Sequence, residues 1–203
     1  MSKTNRKKCE RRLCAPGLTA KGNDLREMLE CYCRDFRPNL AAYLKIFAKM
    51  SLKEAISAAP GAVCPCCRKR HPHQKRLPHA VFAEFSAGLA KLSDRIGKAK
   101  DFEELHEIIR EGRVRGIGPV TLYDTALRIG AQISRLPERL VYCHGDAVIP
   151  GGKKSGTQSA SSFDVLFAEH GMKAYEIEEF LCCFHSRLVE KNITVLERKE
   201  KTW

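Results

Sequence analysis

The sequence predicts an all-α fold. Apolar residues recur at spacings of three and four along most of the chain, capping signatures precede several of these stripes, and few segments alternate with a period of two. With 203 residues and 43% hydrophobic side chains, there is enough apolar material for a buried core. The expected organisation is a basic flexible tail over residues 1–23, one compact helical domain over 24–192, and a charged C-terminal tail over 193–203. No internal repeat is evident.

The elements follow in order. Lys3, Arg6, Lys7, Lys8, Arg11 and Arg12 make the N-terminal tail basic, with almost nothing apolar to fold it. Asp24 caps a first helix whose Leu25, Met28, Leu29, Tyr32 and Phe36 share one face, until Pro38 interrupts it. A second helix restarts at Asn39 with Leu40, Tyr43, Leu44, Phe47 and Met50 on its stripe. Ser51 and Glu54 form a capping-box pattern for a short third helix that ends at Pro60-Gly61. Pro78 opens a helix with Val81, Phe85, Leu89 and Leu92 inward. Asp101 and Glu104 cap the next, which carries Phe102, Leu105, Ile108 and Ile109. After the connection GRVRGIGP, the stretch VTLYDTALRIGAQI is again helical, with Val120, Tyr123, Leu127 and Ile129 to Ala131 repeating. LVYCHGDAVIP reads as an extended piece or a buried loop, and GGKKSGTQSASS as a flexible basic loop. Tyr175 to Val189 is the last strong helix, with Ile177, Phe180, Leu181, Phe184 and Leu188 on one face.

Charge narrows the class of partner. The 36 Lys and Arg against 24 Asp and Glu leave a net charge of +12. An excess of this size points to a polyanion, because each phosphate neutralised by Lys or Arg releases condensed counterions. No run approaches the roughly 18–20 apolar residues of a membrane-spanning helix, and the first twenty residues lack the apolar stretch of a secretory signal. The expected location is therefore the cytoplasm, with no membrane partner. In that setting ten cysteines read as thiols or metal ligands rather than as a disulfide framework.

The most informative stretch is Leu105 to Gly130, a helix, then Val114-Arg115-Gly116-Ile117-Gly118, then a second helix. The pair of glycines permits a backbone turn that side chains would obstruct, and brings main-chain N–H groups at the start of the second helix up to an anion. This segment, at about 101–132, resembles the helix-hairpin-helix motif, whose turn is apolar-x-Gly-apolar-Gly. The resemblance implies a grip on duplex DNA in which Gly116, Ile117, Gly118 and Val120 present amides. Ile117 anchors the turn, Thr121 adds a hydroxyl, and Arg113 and Arg115 supply charge. Such contacts hold the backbone and read no base directly.

A wider stretch, roughly residues 101–146, resembles the helix-hairpin-helix DNA glycosylases. In that superfamily a proline-containing connection leads to a Val-Asp-x-His-like segment carrying a catalytic Asp. The comparable run here is Val141-Tyr142-Cys143-His144, with Tyr142 at the Asp position. The resemblance implies hydrolysis of the N-glycosidic bond of a damaged or modified base, which needs a carboxylate near the sugar. Asp146 is the first candidate for it and Asp124 the second, with His144 and Tyr142 orienting a base or a water. Asp124 also stands four residues before Arg128, the spacing of a helical ion pair. Val120 stands where the bifunctional members carry a lysine, so a monofunctional enzyme is implied, serving in repair or in defence against phage DNA with modified bases. The alternative is a non-catalytic duplex-binding module of a repair or recombination assembly; RNA binding through the basic loop and tail is a third reading.

Two further segments carry chemistry. Arg68, Lys69, Arg70, Lys75 and Arg76 form a basic loop suited to phosphates, and Lys153 and Lys154 lie in a second. Within and beside the first loop, Cys64, Cys67, His71 and His73 are spaced so that a structural zinc site can be drawn, although no cofactor is required by the reading. IPGGKKSG is not a nucleotide-binding loop, because Ala147 replaces its first glycine and Lys154 its Ser or Thr.

Overall fold

The computed structural model describes residues 18–62, 77–144, 147, 149 and 156–196. It is mostly helical. Contacts divide the chain, including the span 24–192, into two compact units. One runs over Asn39–Leu136, and the other joins Leu18–Pro38 to the chain from Pro137 onward. No helix among the described residues is long and apolar enough to cross a membrane.

In chain order, α1 spans Leu25–Cys31 and is followed by a π turn, Tyr32–Phe36. Then come α2 (Arg37–Ala48), α3 (Leu52–Ala58), α4 (His79–Lys91), α5 (Ser93–Gly97), α6 (Phe102–Glu111) and α7 (Pro119–Ile133). Strands β1 (Leu140–Cys143) and β2 (Gly156–Ser159) precede α8 (Val165–Glu169) and α9 (Ala174–Glu190).

The expected caps form. Asp24 accepts from the Glu27 N–H at 2.9 Å, and Ser51 and Glu54 complete a reciprocal capping box. Asp101 accepts from the Glu104 N–H at 2.8 Å, while the Glu104 carboxylate reaches one residue further back, to the Lys100 N–H. These bonds satisfy donors that a helix start otherwise leaves open.

Two expectations are corrected. Pro38 does not interrupt the helical run, because the π turn stands immediately before it. A proline inside an α-helix collides with the carbonyl four residues back, and the wider π turn moves those carbonyls out of its way; the Arg37 N–H bonds Tyr32 O five residues back. The fold is also not wholly helical. GTQS, read as part of a flexible loop, is β2, paired antiparallel with β1 in the register Leu140↔Ser159, Val141↔Gln158, Tyr142↔Thr157 and Cys143↔Gly156. Val141, Tyr142 and Cys143 are buried, so the backbone polar groups between them need partners, and β2 supplies them from a polar, exposed segment.

In the unit Asn39–Leu136, α7 lies at the centre. It packs against α6 and α3, and every residue from Thr121 to Gly130 except Asp124 is buried. A helix apolar nearly all round must be enclosed on most sides. On α4 the inward residues are Phe82, Phe85 and Leu89, whereas Val81 is half-buried. The other unit is built on an aromatic cluster. Phe180 stacks on Phe184 with centroids 4.7 Å apart, Phe36 meets Phe184 at 5.1 Å, and Tyr32 and Phe167 meet Phe180 edge-on. Helix α9 carries this cluster and packs against β1 and α1.

The end of α7 explains one glycine. Ser134 takes a left-handed conformation with φ 59°, and the chain folds back so that the Arg135 N–H bonds Gly130 O at 2.8 Å. A Cβ on Gly130 would stand 2.2 Å from the Arg135 carbonyl oxygen. Gly130→Ala therefore lowers stability by about 1–3 kcal/mol, the range of an overpacked core, measured as a lower urea midpoint with unchanged slope.

Candidate functional site

The hairpin between α6 and α7 begins at Gly112, where α6 ends. The Ile117 N–H bonds Val114 O at 3.2 Å to close the turn, and Ile117 is fully buried beneath it. Arg113 bends back so that its Nε donates to Ile117 O at 2.6 Å, fixing the guanidinium against the turn it flanks. Gly116 is exposed with φ +97°, a conformation that only glycine adopts without strain. Gly118 is the N-cap of α7 with extended backbone, no side-chain cap, and Pro119 directly behind it. Val120 is half-buried and Thr121 buried, its carbonyl accepting from the Thr125 hydroxyl at 2.7 Å.

The cations around the turn differ from their neighbours. Arg95 pairs with Glu111 at 2.6 Å, and Arg110 with Glu107. Arg113 and Arg115, both exposed, have no carboxylate within ion-pair distance among the described residues. The turn thus presents uncompensated positive charge beside the start of a helix, where the macrodipole also favours an anion.

Asp124 is committed elsewhere. Its carboxylate accepts from Arg128 Nη2 at 3.0 Å, and the Arg128 side chain is only 5% exposed. Arg128 Nε also donates to the Tyr43 hydroxyl at 2.8 Å and Nη1 to Ala59 O at 3.2 Å. Burial works against the charge of Arg128, but Tyr43 and Asp124 outweigh it and hold the guanidinium pKa above its ordinary value.

Tyr142 and His144 belong to the other unit. They stand two residues apart at the end of β1, with ring centroids 6.3 Å apart. Tyr142 is buried, and His144 Nδ1 is buried without a hydrogen-bond partner among the described residues. Burial lowers the His144 pKa, against a smaller opposing effect from the Cys143 backbone, and so favours the neutral imidazole. Between them, burial and then Glu178 push the Cys143 thiol up to about 11, which favours the protonated thiol at neutral pH. Asp146, the basic residues Arg68, Lys69, Arg70, Lys75, Arg76, Lys153 and Lys154, and the zinc candidates Cys64, Cys67, His71 and His73 lie outside the described residues. Among the described residues no three His, Cys, Asp or Glu side chains gather as a metal site.

A polar cluster that the periodicity does not announce lies in the same unit as Tyr142. The Tyr32 hydroxyl donates to Glu179 Oε2 at 2.7 Å, and Arg37 Nε lies 3.3 Å from Glu176 Oε1. Burial pushes the Glu179 carboxyl up to about 7, with the Tyr32 hydrogen bond pulling against it and Glu176 adding to it. The signal in the sequence is Glu176 and Glu179 at a spacing of three, where Glu176 falls beside the apolar Ile177 and Phe180.

If Asp124 serves to hold Arg128, Asp124→Asn lowers stability by about 1.5–3 kcal/mol, the worth of a hydrogen bond to a charged group. Thermal unfolding of the variant checks this; an unchanged Tm would release Asp124 for a chemical role.

Comparison of the chain with protein-family models, curated proteins and solved structures gives no match.

Proposed function

We propose that the chain binds duplex DNA by its phosphate backbone, through the turn 112–118 and the first turn of α7, in the manner of a helix-hairpin-helix. The observation that carries the reading is Gly118. Its φ is −92°, ordinary for any residue, and among the described residues a Cβ there would meet nothing within 4 Å. Glycine is well accepted at an N-cap, but the described residues give no steric reason to prefer it to Ser, Thr, Asn or Asp, which would also bond the helix amides. A phosphate approaching those amides gives one, because a side chain at 118 would stand in its way. Arg113, held by Ile117 O, and Arg115 supply the charge.

Within this reading, base excision is the activity that the resemblance to glycosylases supports. Asp146 is the carboxylate we assign to it, since Asp124 is engaged by Arg128. His144, with Tyr142 beside it, is the group we assign to orienting a base or a water. A non-catalytic duplex-binding module is favoured by one specific observation, the tyrosine at the position of the family's catalytic Asp.

The glycines separate binding from folding. Gly118→Ala costs less than about 1 kcal/mol of stability, the difference between Gly and Ala at an N-cap, and stays folded while duplex affinity weakens about tenfold, or 1.4 kcal/mol, whereas Gly116→Ala loses more stability because of its positive φ. Arg113→Ala and Arg115→Ala each reduce the slope of log affinity against log salt by about one. Wild-type affinity in Gly118→Ala across a salt titration would remove the phosphate site.

Excision is read by abasic-site formation on duplexes carrying a panel of modified bases. Activity that is lost in Asp146→Asn while duplex binding persists supports the enzyme. Duplex binding without abasic sites on any substrate supports the module.

A further inference from the structure

The guanidinium of Arg113 is anchored at one edge and open at the other. Its Nε donates to Ile117 O at 2.6 Å, the carbonyl directly before the N-cap Gly118. Among the described residues neither Nη nitrogen has a hydrogen-bond acceptor or a carboxylate in reach, and the residue is exposed. Other described arginines with a bonded Nε do not leave the rest of the group open. Arg34, Arg110, Arg128 and Arg135 each place Nε on an oxygen of the chain and an Nη nitrogen on an oxygen as well. Arg115, two residues on, has no side-chain bond among the described residues to fix it.

A guanidinium is a rigid planar fork of five N–H donors. With Nε turned to a carbonyl, the edge formed by the two Nη nitrogens remains, and its spacing matches two oxygens of one phosphate. An unanchored arginine gives up side-chain freedom to adopt such a grip. In Arg113 the bond to Ile117 O removes much of that freedom in the free protein and ties the fork to the turn. A lysine has a single nitrogen at its tip, so it cannot both hold the carbonyl and present two parallel donors.

We propose that Arg113 is the specificity-determining contact of the hairpin, a pre-set fork that takes both non-bridging oxygens of one backbone phosphodiester, while Arg115 contributes charge alone. This role rests on the reading of the turn 112–118 as a duplex phosphate site. It divides the work of two neighbouring arginines that the sequence presents as alike: one selects a phosphate by geometry, the other by charge.

An Arg113→Lys substitution preserves the charge and removes the fork. The full chain carrying it binds duplex DNA about tenfold more weakly than the wild type, the scale of a charge-assisted hydrogen bond. Its salt slope is unchanged, because no charge is lost. Arg115→Lys binds as the wild type does. The contact itself is read on duplexes in which one backbone phosphate at a time is replaced by an uncharged methylphosphonate. At the gripped position this replacement weakens the wild type about tenfold more than it weakens Arg113→Lys, a coupling that a loosened turn would not produce. Each ratio is taken within one protein, so a change in hairpin stability cancels from it. Wild-type affinity in Arg113→Lys, an equal loss in Arg115→Lys, or the same methylphosphonate effect in both proteins at every position overturns the fork. Any of these results leaves the phosphate site standing where Gly118→Ala still weakens binding; wild-type affinity in Gly118→Ala removes the site and the fork together.

Discussion

Arg128 carries a full charge into the interior of the unit Asn39–Leu136, and the surrounding helices are placed to answer it. A buried guanidinium without partners would cost several kcal/mol. Here its nitrogens reach α2 through Tyr43, the end of α3 through Ala59 O, and its own helix through Asp124. Each bond fixes one direction of approach to α7. Because α7 is enclosed nearly all round, its position sets where its first turn emerges, and with it the hairpin. The i, i+4 pair that would be a minor surface feature on an exposed helix is here part of what locates the candidate site.

Three glycines near α7 have three different causes, and telling them apart gives the hairpin its meaning. Gly116 answers a backbone angle, with only Val81 Cγ1 as near as 3.7 Å to an added Cβ. Gly130 answers a collision with the Arg135 carbonyl. Gly118 answers neither, and no atom of the described residues lies within 4 Å of an added Cβ. A motif match treats all three alike, whereas geometry separates the two that the fold requires from the one it does not.

Much of the fold is legible in the sequence because helix caps are local chemistry. Asp24, Ser51 with Glu54, and Asp101 announce their helices by residue type and spacing alone, and each forms the expected bond. Features set by distant contacts are not legible. The π turn that admits Pro38 has no residue signature, and β2 is polar and short because it serves a buried strand some sixteen residues earlier rather than a core of its own. Helices α5 and α8 have too few residues to show a period. The candidate site divides in the same way. The hairpin and its arginines could be read from spacing, and so could the Asp124–Arg128 pair, but the burial of Thr121 and the Tyr32–Glu179 contact depend on what packs against them.

The net charge takes on a different meaning once ion pairs are assigned. Seven described arginines, Arg26, Arg34, Arg37, Arg95, Arg110, Arg128 and Arg187, are matched by carboxylates. Exposed pairs of this kind add little stability, but they cancel charge locally. Arg135 has no carboxylate but directs its nitrogens to the carbonyls of Ala99 and Ser134. Among the described residues Arg113, Arg115 and Arg139 have no carboxylate partner, and the first two stand together at the hairpin, beside Gly118. A polyanion binds where positive potential and open backbone amides coincide, so the location of the unpaired arginines says more about binding than the excess over the whole chain.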